Sequence, residues 1–302
     1  MSIVNLDGLL RISLMGGQAR AFLAGTTHLC DRARAVHGLG RVATAALGRL
    51  LTGSAIMGAM LKGARDSLTV QIKGGGPIGT LLAVAQPDAS VKGYVDNPSV
   101  DLPRKNGKLD VGGAVGSNGE LAVIKDLGLR EAYVGRVKLV SGEIAEDLAM
   151  YFTASEQTPS LVSLGVLTNE RVVAAGGLVI QPMPGCEEIT IKSIEAGAYL
   201  YTDISGTIAE YGLDGALHQL LAHLEPKVID RMLPRYACDC SRERMERALV
   251  AMGEGELISL IEEQDGAEMS CHFCNRKHRF TGDDLRELLR RAKENETGGE
   301  DG

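Results

Sequence analysis

Four cysteines in the last third of the chain have the spacing of a metal site. They form two close pairs, Cys238 with Cys240 and Cys271 with Cys274, and residues 241–270 separate the pairs. Zinc favours four ligands in a tetrahedral arrangement, and the second pair has the ordinary spacing of a zinc knuckle. The first pair has a single intervening residue, which is unusual. In a strand, however, residues i and i+2 lie on one face, so both sulfurs can face one ion or face each other.

We predict one zinc ion held by all four sulfurs. The same four thiols also allow three other interpretations. An iron–sulfur cluster also uses four thiolates. Permanent disulfides would need an oxidising compartment, and nothing marks the chain as secreted. A purely structural zinc remains the main alternative to a redox switch, in which the thiols bind zinc when reduced and form disulfides when oxidised. We expect His272 and His278 to be bystanders, because four cysteines already complete the ligand shell.

Basic residues flank both cysteine pairs. Positive charges nearby lower the pKa of a thiol and favour the reactive thiolate. The alternative is that these side chains are solvated charges on a small surface domain. The flanking cations are Arg242, Arg244, Arg276, Lys277 and Arg279.

Composition excludes several classes of protein. At 302 residues the chain can form two domains, or one large core with a small appendage. Its net charge of −7 argues against general binding to nucleic acids or membrane surfaces. No apolar run approaches the ~18 residues of a membrane span, and the N-terminus has no signal-peptide pattern. We therefore expect a cytoplasmic protein, in which clustered cysteines stay reduced.

The first part of the chain predicts a mixed α/β domain with a largely antiparallel sheet over residues 1–185. Residues 31–61 have helical spacing of apolar residues, and residues 68–73 alternate as in a strand. The glycine-rich segment 74–79 predicts a hairpin turn, because it lacks the lysine and Ser/Thr of a phosphate-binding loop. Ser141 is the expected N-cap of a second helix. Further strands are expected at 91–96, 120–125, 133–140, 161–167 and 172–181.

The rest of the chain predicts three shorter segments, which completes an α+β fold class. Residues 186–235 read as a metastable helical linker, too apolar to be disordered but interrupted by glycines, so that it needs a surface to lie against. Residues 236–294 form the predicted small C-terminal zinc-binding domain, with a four-cysteine redox switch. Its few apolar residues require a staple such as zinc. Residues 295–302 are expected to be a disordered tail.

These motifs together resemble the heat-shock protein 33 family, the redox-regulated, ATP-independent holdase chaperones of bacteria. The resemblance rests on CDCSRER from Cys238 and on CHFCN from Cys271, and it extends upstream to SLTVQIKG from Ser67 and ALGR from Ala46. It covers nearly the full length of the chain. One departure is His278, where many relatives have tyrosine, and this change should alter the packing of the knuckle rather than the zinc chemistry.

The resemblance implies a mechanism. The reduced chain is expected to hold one Zn²⁺ through the four cysteines and to be inactive. Oxidation would pair Cys238 with Cys240 and Cys271 with Cys274, and zinc would leave. The C-terminal domain and linker would then unfold and expose apolar surface to unfolded or aggregation-prone client proteins. The oxidised form is expected to be a homodimer, and we expect no ATP, nucleic acid, membrane or enzymatic activity to be involved.

Two alternative functions come from other classes. One is an enzyme of the thiol oxidoreductase type, whose zinc tail is structural. It is opposed by the lack of a recognisable nucleophile, base or cofactor loop. The other is a nucleic-acid-binding protein with a purely structural zinc site, which the acidic net charge opposes.

Overall fold

The chain forms two compact units, which divide between Ala237 and Cys238. The structure is a computed structural model that describes residues 5–297. Part of the predicted tail, residues 298–302, lies outside the described residues. The last helix extends from Gly282 to Thr297, and the disorder of the tail stays a prediction.

The first unit contains eleven strands and six helices within the described residues. The strands are β1 (Gly8–Leu14), β2 (Ala19–Gly25), β3 (Ser67–Lys73), β4 (Thr80–Ala85), β5 (Ser90–Val95), β6 (Glu120–Asp126), β7 (Tyr133–Lys138), β8 (Leu161–Thr168), β9 (Val172–Pro182), β10 (Lys227–Met232) and β11 (Arg235–Tyr236). The helices are α1 (Thr27–His37), α2 (Arg41–Ala59), α3 (Val111–Val115), α4 (Ala145–Ala154), α5 (Glu188–Ala196) and α6 (Ile204–Leu221).

These strands form two sheets with α2 between them. The five-stranded sheet has the order β10-β1-β2-β9-β8, and the six-stranded sheet has the order β11-β5-β4-β3-β6-β7. Neighbouring strands pair antiparallel, whereas β11 pairs in parallel with β5. Helix α2 contacts β8 and β9 of one sheet and β3, β4 and β5 of the other. The largely antiparallel, mixed α/β prediction is thus confirmed.

Helix α2 is long and apolar enough to cross a membrane by length and composition, contrary to the expectation that no such run exists. Its 18-residue window is 94% buried inside the unit. Small residues, including Gly48 and Gly53, allow close packing. A Cβ at Gly53 would lie 2.6 Å from Leu148 Cδ1. We interpret α2 as the core helix between the two sheets, since burial on both sides explains an all-round apolar sequence.

Two predicted helix boundaries are wrong. The continuous helix expected over 31–61 is two helices, because Gly38 adopts the left-handed conformation (φ 61°) that ends α1. Ser141 does not cap the next helix, which starts after Ile144. There the carboxylate of Asp147 accepts hydrogen bonds from the backbone N–H groups of Val140 at 2.7 Å and Ile144 at 2.9 Å. The predicted hairpin over 74–79 is confirmed by the pairing of β3 with β4.

The segment that we expected to need a supporting surface lies on the five-stranded sheet, on the face opposite α2. Helix α6 packs on β9, β8 and β2. The contact is close because a Cβ at Gly176 would come within 2.2 Å of Ile208 Cδ1. The buried apolar residues that the segment contributes are Ile194, Tyr201, Ile204, Ile208, Leu213, Ala216, Leu217, Leu220, Leu221 and Leu224.

The end of this segment is not helical as predicted. Residues Lys227–Met232 form β10, which pairs antiparallel with β1 at the sheet edge. Helix α6 is kinked at Gly212, whose φ of 68° and ψ of −178° are not helical. The structure places the whole segment in the first compact unit. Its separate, metastable character therefore stays a prediction.

The second unit has a small core built from three helices and one hairpin. The elements are α7 (Arg242–Ala251), α8 (Glu254–Gln264), β12 (Gly266–Ser270), β13 (Lys277–Thr281) and α9 (Gly282–Thr297). As predicted, Ser241 caps α7 by accepting from the Arg244 N–H. Thr281 likewise accepts from the Asp284 N–H at 3.2 Å. The buried apolar residues are Leu249, Leu257, Phe280, Leu285 and Leu288, a set small enough to need a further constraint.

Candidate metal centre

The second cysteine pair sits in the turn between β12 and β13. Cys271 and Cys274 are placed by a tight backbone arrangement, in which the Cys274 N–H donates to the Cys271 carbonyl at 3.3 Å. The Asn275 N–H donates to the same carbonyl at 2.8 Å, and Asn275 takes a positive φ of 54°. Asparagine tolerates that left-handed conformation better than most residues. The turn thereby points both sulfurs to one side, as the knuckle spacing predicted.

The first pair precedes α7 in irregular chain. The expected strand over Cys238 and Cys240 is not present, since β11 ends at Tyr236 and the helix cap is Ser241. All four sulfurs still converge without a strand at the first pair. The prediction of strand geometry is therefore wrong, whereas the predicted convergence of the sulfurs is found.

All four sulfurs lie within 4.8 Å of one another. Two of the distances join different pairs, 3.7 Å from Cys238 Sγ to Cys271 Sγ and 3.3 Å from Cys240 Sγ to Cys274 Sγ. Four sulfurs around one zinc, each about 2.3 Å from the ion, are separated by about 3.8 Å. The observed distances fit a single shared ion. An iron–sulfur cluster divides its four cysteines between two or four irons, so its cysteine sulfurs would not all stand as close together as around one ion.

The crowded thiols differ in how readily they ionise. Burial and the neighbouring thiols of Cys271 and Cys274 together raise the pKa of Cys238 to about 11, although a backbone hydrogen bond from Cys240 lowers it in part. Burial and the neighbouring sulfurs also raise the pKa of Cys240. Burial opposes ionisation of Cys274 as well, but a hydrogen bond from the Arg276 backbone N–H and the surrounding thiols lower its pKa overall. A cluster of close thiols is a site that a divalent ion can complete by displacing their protons.

Arg242 holds the two halves of the site together, a role that the sequence analysis missed. Its Nη1 donates to the Arg279 carbonyl at 2.9 Å, and its Nη2 lies 2.9 Å from an Asp284 carboxylate oxygen. The guanidinium carbon also lies 4.4 Å from the centre of the Phe280 ring. These contacts connect the start of α7, next to Cys240, to β13 and α9. The available signals in the sequence were the cation Arg242 close after Cys240 and the aromatic residue Phe280 in the strand after the second cysteine pair.

The other flanking cations have acidic partners. Arg244 pairs with Asp239, and both Lys277 and Arg279 pair with Glu268. These pairs favour the interpretation of the cations as surface charges over a direct effect on the thiols. Arg276 contributes through its backbone N–H, which lowers the pKa of Cys274.

Cys30, His28 and His37 lie in the first unit and belong to other contacts. Cys30 is buried in the first unit, and burial raises its pKa to about 12. His37 contacts the Tyr236 hydroxyl at 2.9 Å, and His28 pairs with Asp7. Within residues 5–297 the group of side chains that could hold a metal ion consists of the four cysteines, and the bystander role of His272 and His278 stays a prediction.

Known proteins similar to this chain agree on its family. The profile of the family described as Hsp33 protein matches residues 7–281. The 33 kDa chaperonin of Clostridioides difficile is 48% identical over 287 residues, which are 94% of this chain and 99% of that protein. The 33 kDa chaperonin of Acetivibrio thermocellus is 48% identical over 288 residues, with coverage of 94% and 97%.

A solved structure agrees with these matches. The crystal structure of the 33 kDa chaperonin of Thermotoga maritima superimposes with a TM-score of 0.87 at 34% identity, and the match covers 96% of this chain and all of that one. Sequence and fold therefore agree over almost the whole length, including the cysteine unit, and the chain belongs to the Hsp33 family.

Proposed function

We propose that this protein is a chaperone that holds unfolding proteins and is switched on by oxidation of its four-cysteine site. The observation that carries the proposal is the convergence of four sulfurs within 4.8 Å from two separate chain segments. The unit that contains them has a small apolar core, so its fold depends on whatever joins the sulfurs. Family membership supports the chaperone activity.

Zinc is the ion that we propose for the reduced state, one per chain. Cys238, Cys240, Cys271 and Cys274 would bind it as thiolates, and the bound ion would join the chain before α7 to the β12–β13 turn. A structural zinc of this kind contributes roughly 10–16 kcal/mol to the folding of small zinc-binding peptides. That is ample to stabilise a unit with so few buried apolar residues.

Oxidation removes the thiolates that bind the ion. Each disulfide forms when two thiols lose two electrons and two protons to an oxidant, so four thiols consume two equivalents of a two-electron oxidant such as a peroxide. We propose Cys238–Cys240 and Cys271–Cys274 as the pairs, on the resemblance to the family. In the reduced state sulfurs of opposite pairs lie 3.3 and 3.7 Å apart, and all four lie within 4.8 Å of one another. A disulfide needs about 2.05 Å, so either pairing requires the sulfurs to move.

We propose that oxidation of the cysteine site acts on the segment 186–235. Along the chain this segment ends in the short strand β11, which the first cysteine pair follows. Loss of structure beyond Cys238 would remove a constraint on this segment. Its release would uncover the apolar residues of α6 and the sheet face below them, which are buried in the reduced state. Such surface binds unfolded or aggregation-prone client proteins, and the oxidised chains would associate as a homodimer. We propose that this happens in the cytoplasm and without ATP.

The site can be tested by comparing the four cysteines with the two others. Freshly purified reduced protein should contain one zinc per chain, and a serine at any of the four positions should weaken zinc binding sharply. Cys30→Ser and Cys186→Ser are the matched controls and should leave it unchanged. Peptide mapping after oxidation should find Cys238 joined to Cys240 and Cys271 joined to Cys274. Zinc-free reduced protein, or disulfides between the two pairs, would contradict the proposed site chemistry.

A further inference from the structure

A cleft of about 600 Å³ opens in the first unit, far along the chain from the cysteines. It lies where the face of the five-stranded sheet that packs on α2 extends past the end of that helix. Arg11 on β1 and Arg20 on β2 form its base, together with the ring of Phe22. Both guanidinium carbons lie close to that ring, at 5.8 and 5.9 Å from its centre.

The lining combines positive charge with apolar walls. Lys62 adds a third cation, and the lining residues include no aspartate or glutamate. This is notable in a chain of net charge −7. The apolar walls are formed by Met60, Leu61, Met183 and Ile229.

The two arginines have neutral partners. Arg11 Nη2 donates to the Ala59 carbonyl at 2.6 Å, and Arg20 Nε donates to Gln181 Oε1 at 2.9 Å. Across the part of the chain that the structure describes, no ion pair involves Arg11, Arg20 or Lys62. Asp230 is paired with Arg11 in strand register, but its carboxylate accepts from the Arg231 N–H at 2.8 Å.

The charges repel each other in this arrangement. Burial lowers the pKa of Arg20, and the neighbouring Arg11 lowers it further, whereas Glu156 partly compensates. Glu156 is itself engaged by Lys125 and by the Tyr151 hydroxyl. Arg11 and Arg20 are diagonal neighbours on adjacent strands, because Arg11 pairs with Phe22 and Arg20 pairs with Ser13. An anion in the cleft would offset the repulsion between them as well as fill the space.

We propose that this cleft binds a small amphiphilic carboxylate, with its head on Arg11 and Arg20 and its apolar body along Met60, Leu61, Met183 and Ile229. Arginine presents a planar fork of donors that matches a carboxylate. A volume of about 600 Å³ is within the usual range for small-molecule sites, and such sites typically combine apolar walls with a few placed polar groups. An inorganic anion would satisfy the cations but leave the apolar walls in water.

The site also connects two parts of the first unit. Ile229 belongs to β10, which forms the sheet edge on β1, whereas Met60 and Leu61 follow the core helix α2. A ligand that contacts both should hold β10 on the sheet, because a molecule that binds only the folded state stabilises it. Hydrogen exchange over Lys227–Met232 therefore provides a readout that does not depend on chaperone activity.

Calorimetric titration of the reduced full-length protein with sodium decanoate tests the proposal. We expect saturable one-to-one binding, with much weaker binding of decanol, which lacks the charge, and of acetate, which lacks the apolar body. Arg20→Gln should weaken decanoate binding by about tenfold or more, and Lys62→Gln should weaken it less. Arg136→Gln, an exposed arginine on β7 of the other sheet, is the matched control and should bind as the parent does.

Decanoate should also slow hydrogen exchange in Lys227–Met232 in the parent and not in Arg20→Gln. Circular dichroism establishes that each variant is folded, and Lys62→Gln, at an exposed side chain, keeps the test available if Arg20→Gln unfolds. Absence of saturable binding, equal binding of decanol, or unchanged binding by both cleft variants would overturn the proposal.

Discussion

Leu221 offers the sharpest perturbation of the segment that we propose as the output of the switch. Its side chain is fully buried near the end of α6, in the cluster between that helix and the five-stranded sheet. Replacing it by alanine removes buried methyl groups and leaves a cavity. Substitutions of this kind cost about 2–5 kcal/mol.

That loss should act mainly on the docking of the segment. If the substitution destabilises the docked form of the segment by about 3 kcal/mol relative to the released form, the released population rises roughly 150-fold. We therefore expect reduced, zinc-loaded Leu221→Ala to suppress client aggregation measurably, whereas the parent in the same state does not. Hydrogen exchange should accelerate in residues 186–235 while β3, β4 and the other strands of the six-stranded sheet stay protected.

Ile189→Ala is the matched control. Ile189 is an aliphatic residue of the same segment, but its side chain is 60% exposed, so truncation should change neither exchange nor activity. The reasoning is refuted if Leu221→Ala exchanges rapidly in 186–235 and still fails to protect clients when reduced. It is also refuted if the exchange increase appears in the six-stranded sheet instead.

Three further predictions concern single side chains. Arg242→Gln should lower zinc affinity by about 10–100-fold in a chelator competition, as for residues that orient metal ligands, whereas Arg286→Gln on the exposed face of α9 should not. His278 has a buried Nε2 without a hydrogen-bond partner in the described residues, so His278→Phe should stabilise the second unit by about 1 kcal/mol, measured by denaturant unfolding; a loss of stability would contradict this. Burial raises the pKa of Cys30 to about 12, so its neutral thiol is favoured and it should resist alkylation in the native protein at pH 8. Reactivity should increase only as pH approaches 12, and rapid labelling at pH 8 would show that the site opens.

The parts of the fold that depend on short-range patterns could be predicted from the sequence. Alternation over 68–73 and the glycines that follow predict the β3–β4 hairpin, since a strand period and a turn are local properties. Ser241 and Thr281 are helix caps, which are also local. The cysteine site was predictable because ligand type and spacing nearly determine the chemistry.

Features that depend on distant contacts could not be predicted in this way. Residues Lys227–Met232 were expected to be helical, but β1 offers them an unpaired edge, and pairing there determines the outcome. Ser141 has a suitable side chain for a helix N-cap, yet the carboxylate of Asp147 accepts the hydrogen bonds from the backbone N–H groups of Val140 and Ile144. Arg242 was visible as a cation near the thiols. Its role appears only when the Arg279 carbonyl and Asp284 are brought beside it.

The most direct test of the central claim is aggregation of one unfolding client, followed by light scattering without nucleotide, in the presence of the same protein preparation in two states. The fully oxidised form, with four thiols consumed and zinc released, should suppress scattering. The reduced form with one zinc bound should not, and reduction with added zinc should abolish the activity. Equal protection by the reduced, zinc-loaded protein would contradict control of the chaperone by its four cysteines.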